Sequence, residues 1–157
     1  MDGAWTRFYK LSGREQRDFL LGLLLLPAVA AWLRLFDFRS AQRTLEKWCG
    51  DAVLTDQHGD DAAMFAEAQS ATRMVDAASR RGIVHGNCLS RSMVLWWLLR
   101  RRSLPAHLRI GARKTGDGFE AHAWVEMANR AINDADDVLE RYTPFEGPVT
   151  GKMVAQK

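Results

Sequence analysis

The sequence has few of the residues that build cross-linked or metal-bound folds. Its 157 residues include only two cysteines, Cys49 and Cys88, and four prolines. Two cysteines in different contexts do not make a disulfide framework. No Cys-x-x-Cys pair is present, and His85-x-x-Cys88 is too weak a pattern to predict zinc. We therefore expect free thiols, a reducing cytoplasmic location and a site that uses neither metal nor organic cofactor.

The sequence also lacks an uncharged run long enough to predict a membrane span. The apolar stretch from Phe19 to Leu33 is shorter than the ~20 residues that a span requires, and Pro27 interrupts it. It follows the charged residues Glu15 and Asp18, and no small-residue cleavage site comes after it, so it does not match a signal peptide. We expect a buried or partner-docking helix here and no membrane contact.

Charge is nearly balanced overall but unevenly distributed. The formal net charge is +3, yet residues 73–114 hold ten basic residues and one acidic residue, whereas residues 115–148 hold eight acidic residues and two arginines. Such a basic belt can attract an acidic peptide or a nucleic acid. A solvated face explains it better, and no base-reading motif is present. Nucleic-acid binding therefore stands only as a rival hypothesis.

Length and periodicity predict a single domain, residues 1–157, with a helical part over 1–82. At 47% hydrophobic residues the chain is typical of a globular protein. Helices are predicted over residues 12–36 and 40–48, and from residue 60 or 61 to 81. Ser12 and Glu15 form a capping box at the first helix start, and Pro27 is expected to bend or split that helix.

The second part, residues 83–146, is predicted to hold a buried helix followed by a sheet. Residues 89–99 are apolar nearly all round, which is typical of a central helix. Residues 106–113 and 119–127 alternate in polarity and are joined by a hairpin loop, and a third strand is predicted over 131–134. The remainder of the chain is expected to be irregular. This order predicts an α+β fold with the central helix packed on a small antiparallel sheet.

Three residues of this second part can form a nucleophilic site. Cys88 stands where a loop runs into the central helix, and a helix start favours a thiolate and offers N–H groups to an oxyanion. His122 lies on the second strand, on the face opposite its apolar residues. Asp134 lies diagonal to His122 if the next hairpin turns near residue 129. These three residues can serve as a nucleophile, its base and an orienter, and such a set predicts a peptidase or an acyl-transfer enzyme.

Several alternatives remain open at this point. The strand register leaves Asn133, Asp136 and Asp137 as rival orienters, and the second oxyanion donor is not identified. A cysteine or histidine taken singly is more often structural. An acyltransferase on the same fold and a non-catalytic scaffold are both compatible with the pattern.

The motifs around these residues resemble the transglutaminase-like cysteine peptidases of lasso-peptide biosynthesis. The resemblance covers roughly residues 80–146 and is carried by residues 86–92 (GNCLSRS), 94–99 (VLWWLL), 108–114 (LRIGARK), 120–126 (EAHAWVE), 132–134 (IND) and 142–145 (YTPF). The N-terminal helices match only in general character.

This resemblance implies a papain- and transglutaminase-like fold and a peptidase that removes the leader of a lasso-peptide precursor. It assigns Cys88 as nucleophile, His122 as base and Asp134 as orienter. It also implies two partner proteins besides the precursor peptide. One is a separate leader-recognition protein, and the other is an asparagine-synthetase-like, ATP-dependent macrocyclase that closes the macrolactam ring.

Overall fold

The computed structural model describes residues 8–49, 61–83, 86–116 and 118–145, in which helices come first and a sheet second. The elements are α1 (Gly13–Leu35), α2 (Phe38–Cys49), α3 (Asp61–Arg81), α4 (Cys88–Arg100), β1 (His107–Thr115), β2 (Gly118–Met127), β3 (Arg130–Ala131), α5 (Val138–Arg141) and β4 (Thr143–Pro144). This order confirms the α+β prediction. The loop predicted between α2 and α3 lies outside the described residues.

Helix α1 begins as its sequence predicts but is not divided. The Ser12 side chain and the Glu15 side chain cap each other's backbone N–H groups in a capping box. The helix then continues through Pro27, so the prediction of a split is wrong. Proline in a helix interior costs roughly 3 kcal/mol. The buried side chains of Leu26 and Val29, on either side of Pro27, pack into the core and hold the backbone helical.

Helices α1, α3 and α4 pack together to form the main core. Gly22 lets α1 and α3 approach closely, because a Cβ there would lie 2.8 Å from the Cβ of Ala78. Helix α4 is the central element: its residues from Ser92 to Leu99 are all buried. That confirms the prediction from a segment that is apolar on all sides.

One ion-pair cluster inside this helical region was not predicted. The Arg102 guanidinium donates to both carboxylate oxygens of Asp18 and lies 3.3 Å from a carboxylate oxygen of Glu67. The Asp18 side chain is 2% exposed and that of Arg102 is 10% exposed. The cluster therefore joins α1, α3 and the end of α4, and its Asp18–Arg102 pair is almost closed off from water.

Helix α1 also meets the length and composition required of a membrane span, among the residues that the structure describes. Its most apolar 18-residue window has a mean hydropathy of 1.8, and 28% of that window is buried. Helix α1 is thus longer than the uncharged stretch from Phe19 to Leu33, which by itself is too short to predict a membrane span. Leu20 and Leu24 are exposed on its outer side, whereas Leu25 and Leu26 pack into the core. The absence of membrane contact stays a prediction.

The sheet has the order β3-β2-β1-β4, with antiparallel pairing throughout. The β1–β2 hairpin is tighter than predicted, because pairing extends to Thr115 and Gly118. Strand β4 pairs with β1 in a region that was predicted to be irregular. Gly111 permits this pairing, since a Cβ there would lie 2.8 Å from the carbonyl oxygen of Thr143.

Candidate active site

Cys88 is the first residue of α4 and is a half-buried, free cysteine. Asn87 precedes it as N-cap, with its side-chain oxygen accepting from the backbone N–H of Ser90 at 2.8 Å. No acidic residue lies in the first turn. The thiol therefore stands at the positive end of an almost fully buried helix, whose first backbone N–H groups can donate hydrogen bonds to an oxyanion.

His122 and Asp134 are in direct contact. The His122 Nε2 is hydrogen-bonded to the Asp134 Oδ2, and the two side chains are 20% and 18% exposed. The other carboxylate oxygen of Asp134 accepts from the backbone N–H of Ala135 at 2.8 Å and from Arg141 at 3.0 Å. Asp134 thus has a partner on each oxygen, and the imidazole is held through one of its two nitrogens.

These contacts set the protonation of the carboxyl. Burial acts to raise the pKa of Asp134, but the hydrogen bonds from His122 and the Ala135 N–H, with the charges of His122 and Arg141, lower it below its usual value. Asp134 is therefore a carboxylate at neutral pH, which is the form that orients an imidazole.

The rival orienters are close to Asp134 but make other contacts. Asp137 pairs with Arg141 at 3.1 Å. Asp136 is exposed and, together with Asp134, lines a cavity between α3 and β3. Asn133 bonds to the backbone of β2 and not to His122. Of these candidates, Asp134 is the one that contacts His122. Strand β3, which was predicted to include Asp134, ends before it.

Strand β3 is short because a side chain replaces the backbone in its ladder. After the Ile132 N–H donates to the Val125 carbonyl at 2.8 Å, the Val125 N–H donates to the side-chain Oδ1 of Asn133 at 2.7 Å. The prediction of a strand over 131–134 is therefore wrong beyond Ala131. Because the main chain leaves the ladder here, Asp134 is free to turn toward His122.

The same asparagine connects the sheet to α4. The Ser92 Oγ donates to the carbonyl oxygen of Ala123 at 2.9 Å and accepts from the Asn133 Nδ2 at 2.9 Å. We call this unit the Ser92–Asn133 bridge. Ser92 lies one helical turn beyond Cys88 and on the same helix face, and Ala123 is next to His122. The bridge therefore places the first turn of α4 at the edge of β2 beyond the end of β3.

The thiol and the imidazole are not hydrogen-bonded to each other. Across the described ranges, the Cys88 Sγ has no hydrogen-bond partner, and the His122 Nδ1 has none either. With Nε2 bonded to Asp134, Nδ1 is the nitrogen left to exchange a proton with another group. The elements that carry the two groups meet at one edge of the sheet.

The face of β2 that carries His122 is covered rather than open. Trp124, on that face, is fully buried against Val138 and Tyr142. The His122 ring stacks on Tyr142, with ring centroids 4.9 Å apart and 29° between the planes. The segment after β3 therefore folds back over the strand face that carries His122.

Tyr142 is itself held by a charged pair that sequence reasoning missed. Its hydroxyl donates to Glu120 at 2.8 Å, and Arg113 donates to Glu120 at 2.9 and 2.7 Å. The hydrogen bond to the Glu120 carboxylate, together with burial, raises the pKa of Tyr142. The signal in the sequence was Glu120 itself, two residues before His122 on the same strand face.

Two stretches of the chain resemble known proteins. A 59-residue stretch, 38% of this chain, is 37% identical to "Microcin J25-processing protein McjB" of Escherichia coli, and it spans 27% of that protein. No solved structure matches the chain significantly. Residues 32–146, from the last turn of α1 to the end of β4, match the family model described as "Transglutaminase-like superfamily". That match covers most of the chain and includes every element of the site, so the protein belongs to the transglutaminase-like superfamily.

Proposed function

We propose that this protein is a cytoplasmic cysteine endopeptidase that removes the leader peptide from a lasso-peptide precursor. The observation that carries the proposal is the His122–Asp134 hydrogen bond, made by the strand against which α4, the helix that begins with Cys88, packs. Membership of the transglutaminase-like superfamily supports cysteine chemistry. The similarity to a microcin-processing protein, over part of both chains, supports a role in peptide maturation.

In the proposed mechanism Cys88 is the nucleophile and His122 the general base and acid. The His122 Nδ1 takes the thiol proton, and the thiolate sulfur attacks the scissile carbonyl to form a tetrahedral oxyanion. The backbone N–H groups at the start of α4 stabilise this oxyanion. Nδ1 then gives its proton to the departing amine as the carbon–nitrogen bond breaks, which leaves a thioester on Cys88. Water, deprotonated by His122, hydrolyses the thioester and regenerates the thiol.

Asp134 acts through His122 in this scheme. Its carboxylate holds Nε2, so the ring keeps one orientation and presents Nδ1 for proton transfer, and its charge stabilises the imidazolium. The proposed steps use protein side chains, backbone N–H groups and water.

The nucleophile is tested by comparing the two cysteines. Cys88→Ala should abolish leader removal while the circular dichroism spectrum stays that of the wild type, because the acyl-enzyme cannot form. Cys49→Ala is the matched control and should keep most of the activity. The substrate is a lasso-peptide precursor that carries its leader, and the products are identified by mass spectrometry. Leader removal by Cys88→Ala at a near wild-type rate would refute the proposal.

Product mass also separates the peptidase from an acyltransferase on the same fold. A hydrolase releases the leader as a free carboxylic acid, whereas an acyltransferase joins it to an added amine such as glycine amide. We expect the free acid in the presence of glycine amide.

We further propose that a separate leader-recognition protein presents the precursor and that a macrocyclase consumes the product. Exposed apolar side chains of α1, including Leu20 and Leu24, offer a surface for such docking. Tethering of the leader raises the effective concentration of the scissile bond near Cys88. Cleavage of subsaturating precursor should therefore accelerate when the recognition protein is added. Equal rates with and without it would show that the peptidase recognises its substrate unaided.

A further inference from the structure

Each residue of the proposed triad lies near a residue of the Ser92–Asn133 bridge. Ser92 lies four residues after Cys88, so their Cβ atoms are about 5–6 Å apart on one helix face. The carbonyl that Ser92 binds belongs to Ala123, the residue after His122. Asn133, the other end of the bridge, immediately precedes Asp134.

The rest of the contact between α4 and β2 does not set their spacing as sharply. Val94 and Leu95 of α4 belong to the same buried apolar cluster as Val125 and Met127 of β2. Apolar contact has no preferred direction, and it tolerates small shifts of a helix along its axis. Hydrogen bonds weaken steeply as distance and angle change. Two bonds of 2.9 Å on one fully buried hydroxyl therefore define where the helix start stands.

We propose that Ser92 and Asn133 are positioning residues that set the separation between the Cys88 sulfur and the His122 imidazole. This inference rests on the proposed function. A displacement near 1 Å between reacting groups can cost about 100-fold in rate, so the bridge controls turnover without touching substrate. Asn133 has a second effect: by ending β3 it releases Asp134 to bind His122.

The test compares two serines of one helix. Ser92→Ala and Ser90→Ala each remove one fully buried hydroxyl from α4. The Ser90 Oγ bonds only within the helix cap, to the Asn87 carbonyl at 3.1 Å, whereas Ser92 reaches the sheet. Both variants are made in a Cys49→Ala background, which leaves Cys88 as the sole thiol. The measurements are the rate of Cys88 alkylation by iodoacetamide at neutral pH and the kcat and KM for precursor cleavage.

We expect Ser92→Ala to slow alkylation about tenfold, toward the rate of a His122→Ala variant, and to lower kcat about 10- to 100-fold with KM within about threefold. Ser90→Ala should stay within about threefold of the parent in both measurements, although it loses a comparable hydrogen bond. Equal alkylation and kcat in the two variants would overturn the inference.

Two further variants keep the outcome decisive. If Ser92→Ala does not fold, Asn133→Ala removes the half-buried end of the bridge, and parental alkylation and kcat in that variant would equally overturn the inference. Cys88→Ala separates the two proposals. Cleavage that survives Cys88→Ala refutes the peptidase itself. If Cys88→Ala loses cleavage but Ser92→Ala and Ser90→Ala have the same alkylation rate and kcat, only the positioning role is refuted.

Discussion

Two regions of this molecule hold a carboxylate against a basic side chain, and they differ in how completely the pair is closed. In the helical region, Asp18 is 2% exposed and binds Arg102 through both oxygens. At the sheet edge, Asp134 and His122 are 18% and 20% exposed and share one hydrogen bond. The first pair saturates the carboxylate with a permanently charged partner. The second leaves one imidazole nitrogen of His122 without a hydrogen-bond partner among the described residues, and an imidazole can act as a general base and acid.

The difference teaches how to separate a structural carboxylate from one suited to catalysis. Asp18 is the more buried of the two, but its partner is an arginine, which never deprotonates and so cannot move protons. Asp134 faces a group that can, next to a helix that begins with a thiol.

The largest expected effect is on activity at the sheet edge. His122→Ala should lower the rate of precursor cleavage by at least about a thousandfold, because nucleophile and base act as a unit. The circular dichroism spectrum should stay that of the wild type, which separates loss of the base from loss of the fold. Cleavage within about tenfold of the wild type would remove His122 from the mechanism.

The next effect is on stability in the helical region. Asp18→Ala leaves the Arg102 guanidinium buried without its main partner, and breaking a buried pair in this way costs about 3–5 kcal/mol of unfolding free energy. Urea denaturation measures the loss. Glu67→Ala is the control and should cost less, because Glu67 is 30% exposed and Arg102 keeps Asp18. The comparison fails if Asp18→Ala is no less stable than Glu67→Ala.

A smaller effect is expected from the orienter. Asp134→Ala should lower kcat about 100-fold, less than His122→Ala, because the base remains but loses its fixed orientation. Asp136→Ala and Asp137→Ala are matched controls on exposed neighbours and should stay within about threefold. If Asp136→Ala or Asp137→Ala lowers kcat and Asp134→Ala does not, then Asp134 is not the orienter.

The smallest effect concerns acid pH. The pKa of Asp134 is lower in the folded protein than in the unfolded chain, so the carboxylate form contributes stability that is fully present above the usual aspartate pKa of about 3.9. That contribution is lost as pH falls through the lower, folded-state pKa. The stability of the wild type should therefore decrease more steeply below about pH 4 than that of Asp134→Asn. Parallel pH profiles from urea denaturation would contradict this.

The elements themselves followed from local patterns. The capping box at Ser12, the apolar central helix and the alternation of β1 and β2 all appear in the structure close to the predicted bounds. Such signals depend on residues that are only a few positions apart, so they can be recognised in a single sequence. The start of α4 at Cys88 is local in the same way, because Asn87 is a standard N-cap residue.

The partners of the site residues were decided by contacts between distant parts of the chain. Strand β3 stops early because the Asn133 side chain takes the place of a backbone acceptor, and that substitution makes Asp134, not a neighbouring aspartate, the partner of His122. The Ser92 hydroxyl joins residues 31 and 41 positions away. Hydrophobic periodicity indicates which face of a strand or helix is buried. It does not indicate which buried polar atoms form hydrogen bonds with each other. The sequence by itself thus determined the helices, the strands and the residue types of the site, and only the tertiary structure decided how the site is joined.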